Sequence, residues 1–255
     1  KKDITKKTFE VTGANINKKS NSPPKPLKTS TLQQLASSYL GFSASKTMRV
    51  AQGLYEGVEV EGTLKGLITY MRTDSLRLSP EAKEMAKNFI VEKYGEKYWG
   101  NETEKKEKNA KKIQDAHEAI RPTDVYLIPD EIKKFLNDDQ YKLYKLIWER
   151  FLISQFSKME YEQFEILSEY QEYEFRGVAN KITFDGYYKI FKDEDEIKTI
   201  DFPAINVGDK LDLLKLNIME GETKPPSRLT ESTLVKKLEA DGIGRPSTKA
   251  AIIDT

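Results

Sequence analysis

Cysteine is absent from all 255 residues. That excludes disulfides and thiolate metal sites within the chain and fits the cytoplasm as its compartment. Any cysteine-ligated zinc module has to lie outside it. Long apolar runs are missing as well: none approaches the ~18 residues of a membrane span, so no membrane partner is expected. The opening Lys1-Lys2-Asp3-Ile4 lacks the basic-then-apolar pattern of a secretory leader. Charge of one sign is not in excess either. Lys and Arg number 42 against 41 Asp and Glu, a net of +1, so bulk charge does not announce a nucleic-acid binder. Histidine is reduced to one residue, His117.

What is present fits a water-soluble globular chain of one large or two modest domains: 33% charged and 38% hydrophobic residues. The charge is unevenly spread. Residues 1–28 hold eight lysines against Asp3 and Glu10. Residues 158–201 hold twelve acids against six bases, so a phosphate-binding surface is not expected there. The lysine-rich start reads as a solvated arm.

Helical and strand patterns fall in blocks. Thr8-Phe9-Glu10-Val11 is a short strand candidate, and Pro23-Pro24-Lys25-Pro26 a linker. A helix is expected from a hydroxyl cap at Thr29-Ser30-Thr31 to Gly41, with Leu32, Leu35, Ala36 and Tyr39 at helical spacing. Gln33 and Gln34 read as surface polar groups on it. A second helix runs from Ser43–Ser45 to Gly57, then a loop to Gly66. A third is capped by Ser79, with Pro80 and Glu81 in its first turn, and stops at Gly95. Residues 101–112 read as a solvated loop or exposed helix tip. Pro129 starts a short helix and Asp138 caps a longer one, whose stripe of Tyr141, Tyr144, Leu146, Ile147, Trp148 and Phe151 reads as core. Beyond Phe156 the pattern turns to β. Glu172 to Arg176 alternates, Asp185-Gly186 is a hairpin-type turn, and Lys210 to Met219 is a strand with a bulge at Leu213/Leu214. In the tail, Thr230 caps a helix bearing Leu234, Val235 and Leu238. Gly242-Ile243-Gly244 ends it and Ser247 caps the next, a helix-turn-helix pair.

One stretch stands apart, Gly66 to Ser75. An apolar, β-leaning run, Leu67-Ile68-Thr69-Tyr70, meets Met71-Arg72-Thr73-Asp74-Ser75. One reading is a capped turn with an internal ion pair. The other is chemical: a Tyr70 hydroxyl as nucleophile toward a phosphate, with the Arg72 guanidinium as a positive fork for its oxygens. His117 admits two readings in the same way. A lone histidine is commonly a structural hydrogen-bonder, yet Asp115, Glu118 and Arg121 around it suit a phosphate contact or proton donor.

Four motifs taken in order decide between these readings. They are Thr29-Ser30-Thr31-Leu32-Gln33-Gln34, Ile68 to Ser75, Ala116-His117-Glu118-Ala119-Ile120-Arg121-Pro122-Thr123, and Gly242-Ile243-Gly244-Arg245-Pro246-Ser247-Thr248. Together they resemble the type IA DNA topoisomerases from about Pro23 onward. Met71 after the tyrosine resembles the bacterial topoisomerase I branch, where the topoisomerase III branch has proline.

The resemblance implies an α+β multidomain architecture, with an all-helical tyrosine domain inserted in an antiparallel β arch. Residues 1–26 and 158–224 would form the arch, residues 27–157 the helical domain, and residues 225–255 the start of a helical domain that helps bind single-stranded DNA. Tyr70 would be the nucleophile, Arg72 and His117 the phosphate-contacting or transition-state groups. Arg245, Ser247 and Thr248, with Gln33 and Gln34, would be DNA-binding. The reaction would cleave and rejoin single-stranded DNA through a 5′-phosphotyrosyl bond and so relax negative supercoils. The acid–base and Mg²⁺ chemistry belongs, in this family, to an N-terminal metal-binding domain. No paired-carboxylate motif for it is found here, and Asp193-Glu194-Asp195-Glu196 reads as a solvated acidic loop. The chain is thus expected to be an internal fragment, inactive in relaxation by itself and joined to that domain in the full-length enzyme, in the cytoplasm with the nucleoid. Two other classes stay open on the residues alone: a non-catalytic single-stranded DNA-binding module using Tyr39 and Tyr55 beside Lys46 and Arg49, and a scaffold.

Overall fold

Short side-chain periods and well-placed caps divide this sequence into strands at its flanks and helices between. The computed structural model describes residues 7–100, 117–190, 201–248 and 252–253. In chain order the elements begin with β1 (Thr8–Asn21), α1 (Thr29–Leu35), α2 (Ala44–Glu56), β2 (Val58–Val60), β3 (Thr63–Lys65) and α3 (Pro80–Tyr94). They continue with α4 (Pro129–Ile132), α5 (Asp138–Gln155), β4 (Met159–Tyr170), β5 (Tyr173–Phe184), β6 (Lys210–Asp212) and α6 (Glu231–Ala240). Two compact units result. One comprises residues 1–22 and 158–226, the other residues 23–157 and 227–255.

The first unit is an antiparallel sheet in the order β5-β4-β1-β6. Phe9, Val11 and Phe164 are buried, and Phe9 meets Phe175 edge-on at 4.9 Å between ring centres. Along β5, exposed and half-buried residues alternate, as a strand with one wet face requires.

Several strand expectations are corrected. β1 runs to Asn21 instead of ending near Val11, and pairs with β4 from Glu10 to Asn21. Its second half is exposed on both faces, so no alternation marks it in the sequence. Asp185-Gly186 is not a hairpin turn, because β5 is continuous to Phe184 and Gly186–Ile190 forms a 3₁₀ turn. The hairpin instead closes β4 on β5 at Gln171-Glu172, with Gln171 at φ 55. Only Lys210–Asp212 of the expected 210–219 strand pairs, and Leu214 is 93% exposed. Register shifts occur instead on β1, between Val11 and Gly13, and on β4, between Glu160 and Tyr161. The Asp193–Glu196 run and residues 101–112 lie outside the described residues.

The second unit packs α1, α2, α3 and α5 around Leu32, Ala51, Leu54, Ile68, Met71, Phe89, Ile120, Tyr144 and Phe151, all nearly or fully buried. The expected caps form at α2, α3 and α6. Ser43 Oγ accepts from the Lys46 amide at 3.1 Å, and Ser79 Oγ from the Ala82 amide at 3.2 Å. For α5 the cap is Asn137, not Asp138. Asn137 Oδ1 accepts from the Gln140 amide at 2.9 Å and Gln140 Oε1 from the Asn137 amide at 3.1 Å, a reciprocal box. The polar atoms of the α5 aromatic stripe are satisfied: Trp148 Nε1 donates to Val125 O at 2.9 Å and the Tyr144 hydroxyl to Leu127 O at 2.8 Å. Burial, with the Asp124 charge behind it, pushes the Tyr144 phenol well above its ordinary range.

After α1 the chain makes a π-helical turn, Ala36–Leu40, and leaves it at Gly41 with φ 66, a left-handed exit that favours glycine. Residues 58–65, expected as loop, form the small β2–β3 hairpin. The tail helix α6 is capped by Thr230, whose hydroxyl accepts from the Thr233 amide, and it packs on α1.

Candidate active site

The Tyr70 segment is extended, and burial alternates from Met71 to Ser75. Met71, Thr73 and Ser75 point inward, Arg72 and Asp74 outward, and Tyr70 is half-buried. A two-residue period therefore turns Tyr70 and Arg72 toward the same side. No ion pair between Arg72 and Asp74 occurs among the described residues, so the capped-turn reading gives way to an extended strap.

Two other motifs hold this strap. On one side, the Thr69 amide donates to Arg121 O at 2.9 Å and the Thr69 hydroxyl to Ala119 O at 2.8 Å, while the Arg121 amide donates back to that hydroxyl at 3.0 Å. Farther along, the Ala119 amide reaches Arg77 O at 2.8 Å. On the other side stands Thr29. Its amide donates to Thr73 O at 2.9 Å, its hydroxyl donates to Met71 O at 2.7 Å, and the same oxygen accepts from the Thr73 amide at 2.9 Å. The Ile120 amide then closes the knot on Leu27 O at 2.8 Å.

This overturns the expected role of the Thr29-Ser30-Thr31 hydroxyls. Lys28 is the α1 N-cap position, with no side-chain cap bond to the helix, and Thr31 Oγ1 takes the Lys28 amide at 2.9 Å. The Thr29 hydroxyl serves the strap instead. The only sequence signal for this was an extra hydroxyl at a helix start already supplied with one.

His117 is brought to Tyr70 by these bonds. Their ring centres lie 5.4 Å apart at 44°, and His117 is exposed. Tyr55, at the end of α2, completes a row of three rings, 5.3 Å from Tyr70 and edge-on to it. Sequence reasoning did not connect Tyr55 with Tyr70. Gly66 permits the approach, because a Cβ there would stand 2.7 Å from Tyr55 O.

The two arginines differ in availability. Arg121 donates through Nε to Glu118 at 2.8 Å and through a terminal nitrogen to Pro122 O at 3.0 Å. Arg72 is exposed and, among the described residues, makes no ion pair or hydrogen bond through its guanidinium. It is therefore the free cation beside Tyr70. Asp115 lies outside the described residues.

The remaining candidates stand elsewhere. Gln33 is 1% exposed, and neither its amide atoms nor the Ser30 hydroxyl have a partner. Its reading as a surface group is corrected, and a DNA contact by it requires α1 to part from its neighbours. Gln34 is half-buried and donates to Glu239 of α6 at 3.5 Å, where Lys28 also pairs with Glu239. Arg245, Ser247 and Thr248 are exposed on the turn after α6. Thr248 Oγ1 accepts from the Arg245 amide at 2.9 Å, and the amides that Ser247 is expected to cap lie outside the described residues. No bond or ring contact among the described residues joins this turn to Tyr70. Nor do the described residues gather three or more His, Cys, Asp or Glu side chains able to hold a metal, and none of their helices is long and apolar enough to cross a membrane.

A family model described as DNA topoisomerase matches residues 1–255, and the chain belongs to this family, the type IA topoisomerases. It is 52% identical over 240 residues to DNA topoisomerase 1 of Thermotoga maritima, an alignment covering 93% of this chain and 37% of that protein. It is 44% identical over 260 residues to DNA topoisomerase 1 of Fervidobacterium islandicum, covering 100% of the chain and again 37% of the relative. The solved structure of full-length topoisomerase I from Thermotoga maritima superposes with a TM-score of 0.85 and 46% identity, covering 97% of this chain and 40% of that one. The chain thus spans little more than a third of the length of these relatives.

Proposed function

We propose that this chain is the nucleophile-bearing part of a longer type IA DNA topoisomerase that cleaves and rejoins single-stranded DNA. The observation that carries the reading is the approach of the exposed His117 ring to Tyr70, 5.4 Å between ring centres, with the exposed and uncommitted Arg72 two residues along the same extended strap.

The Tyr70 oxygen attacks phosphorus in a DNA backbone. A phosphorus–Oη bond forms and the phosphorus–O3′ bond breaks, its electron pair leaving with O3′, which takes up a proton. The product is a 5′-phosphotyrosine and a free 3′-hydroxyl, and the reverse attack restores the strand without ATP. Negative charge grows on the non-bridging oxygens, and a fixed cation there is worth more in the transition state than in the ground state. Arg72 supplies that charge and His117 bonds a phosphate oxygen. A free phenol ionises near pH 10, so its proton needs a base. We assign that step and Mg²⁺ to the N-terminal metal-binding domain of the longer polypeptide.

Residues 1–26 and 158–224 are read as two parts of an arch around a DNA-sized opening, residues 27–157 as the tyrosine domain, and residues 225–255 as the start of a single-strand-binding domain. There Arg245, Ser247 and Thr248 contact the strand, with Gln34 and, on opening, Gln33 beside it. The site of action is the cytoplasm, on the nucleoid, and the chain alone does not relax supercoils.

Covalent trapping tests this reading. In the full-length enzyme, denaturant added during cleavage should leave protein bound to the 5′ end of a labelled oligonucleotide, and Tyr70→Phe should abolish the adduct while keeping the ring's packing. An undiminished adduct with Tyr70→Phe would overturn the assignment.

A further inference from the structure

Thr29 is 0% exposed and lies at the start of α1, yet four bonds tie it to the backbone on both sides of Arg72, the weakest from its hydroxyl to Thr73 O at 3.1 Å. Its hydroxyl takes the Met71 carbonyl at 2.7 Å and receives the Thr73 amide at 2.9 Å, and its own amide holds the Thr73 carbonyl at 2.9 Å. Met71 and Thr73 are themselves 0% and 2% exposed. Arg72 is thus the outward residue of a three-residue span whose two inward neighbours are fastened to one side chain. Farther on, Thr73 Oγ1 accepts from the Ser75 amide at 3.0 Å and Ser75 Oγ from the Arg77 amide at 3.2 Å, so the fixation passes along the strap.

We infer that Thr29 is a positioning residue for the cleavage step: its hydroxyl sets the Met71–Thr73 backbone so that Arg72 is aimed, before substrate arrives, at the phosphate that Tyr70 attacks. The inference rests on the reading of Tyr70 and Arg72 given above. Its physical ground is the number of donors and acceptors met by one oxygen. Threonine Oγ has one proton and two lone pairs, and here the proton serves the carbonyl before Arg72 while a lone pair serves the amide after it. A long, unpaired arginine side chain has many rotamers. Fixing φ and ψ at its root leaves only side-chain freedom to be lost on binding phosphate. Valine matches threonine in shape and lacks both functions. It leaves a buried carbonyl and a buried amide without partners, and the span must shift to satisfy them.

The effect belongs to rate and not to affinity. Displacement of a charge aimed at the transition state by about 1 Å costs on the order of 10²-fold in rate. In the full-length enzyme, single-turnover cleavage of a labelled single-stranded oligonucleotide should therefore slow by that order for Thr29→Val, at an unchanged dissociation constant for the same oligonucleotide. Thr29→Ser, which keeps the hydroxyl, should restore most of the rate. Because Thr29 acts through Arg72, adding Thr29→Val to Arg72→Ala should slow cleavage little further. Wild-type cleavage by folded Thr29→Val, loss confined to DNA affinity, or effects of the two substitutions that multiply would each overturn the inference. Tyr70→Phe in the same assay separates the two levels. Loss of its adduct together with wild-type cleavage by Thr29→Val sinks the role of Thr29 alone, whereas an adduct formed by Tyr70→Phe sinks the reading beneath it. Should Thr29→Val not fold, hydrogen exchange of the wild-type protein decides. The Thr73 amide should be among the slowly exchanging ones, and exchange at the rate of unstructured chain overturns the inference.

Discussion

The two units of the chain are stabilised in different ways. In the sheet unit the side chains of β5 alternate between half-buried and exposed, and Leu167 and Val178 stand 41% and 48% exposed. What holds β1, β4 and β5 is chiefly the ladder of backbone bonds along a long register. In the helical unit Leu32, Leu54, Ile68, Met71, Phe89, Ile120, Tyr144 and Phe151 are at most 1% exposed. There apolar burial dominates, at about 1.5–3 kcal/mol for each large side chain removed from water. The lesson concerns where chemistry can be built. A sheet with little buried surface can bend and span. A group that must be aimed to within a fraction of an ångström needs the packed unit, and Tyr70, Arg72 and His117 are found there.

The largest stability effect expected follows from that contrast. Phe151→Ala in the helical core should cost about 3–5 kcal/mol, the usual range for a buried phenylalanine, whereas Val178→Ala on the sheet should stay within about 0.5 kcal/mol. Denaturant melts of the two variants measure this. Equal losses would mean that the sheet unit has a core of comparable weight.

Arg72→Ala comes next and sharpens the contrast from the other side. The guanidinium is exposed and uncommitted, so stability should hardly change, while cleavage in the full-length enzyme slows by on the order of 10²-fold or more, the size expected for one transition-state charge contact. DNA affinity should fall far less than rate. A rate loss matched by an equal affinity loss would make Arg72 a ground-state binder.

Local signals carry the helical unit but mark only parts of the sheet, the start of β1, the alternation of β5 and the start of β6. The Ser43 and Ser79 caps, the stops at Gly41, Gly57 and Gly95, and the buried Tyr144, Ile147, Trp148 and Phe151 of the α5 stripe are readable because each rests on neighbours one turn away, whereas Tyr141 and Leu146 are only half-buried. The length of β1 is not readable, because its second half is wet on both faces and its order comes from pairing with β4. Asp185-Gly186 looks like a hairpin turn, but the actual turn uses Gln171, which carries no glycine signal. Within the candidate site, Tyr70 and Arg72 share a face by simple alternation. The approach of His117 and Tyr55 depends on the bonds of Thr69 with Ala119 and Arg121 and on the missing side chain of Gly66. The hydroxyl of Thr29 could be seen in the sequence, but its partners could not.

The smallest effects belong to helix ends and surface charges. Asn137→Ala removes one half of the α5 box and should cost about 1 kcal/mol. Asp130 is held below the ordinary carboxylate range by the Tyr141 hydroxyl and then by Lys145, and Asp138 by its bond to Lys142. Both pKa values are depressed in the folded state. Their contribution is therefore present above the unfolded carboxylate range and is lost as pH falls through the folded values, below about pH 4. Acid titration of the melting temperature should show a shallower fall when both are changed to asparagine, and an unaltered slope would assign the acid sensitivity to other carboxylates.

The central claim is that Tyr70 and no other tyrosine makes the bond to DNA. Tyr55 is the demanding control, since its ring lies 5.3 Å from that of Tyr70 and is 41% exposed. Digestion of the trapped protein–DNA adduct to a peptide bearing a single nucleotide, followed by fragmentation mass spectrometry, locates the linkage directly. The mass of a 5′-phosphonucleotide should fall on Tyr70 within Gly66–Arg72; its appearance on Tyr55, or on any tyrosine of the sheet unit, would contradict the account.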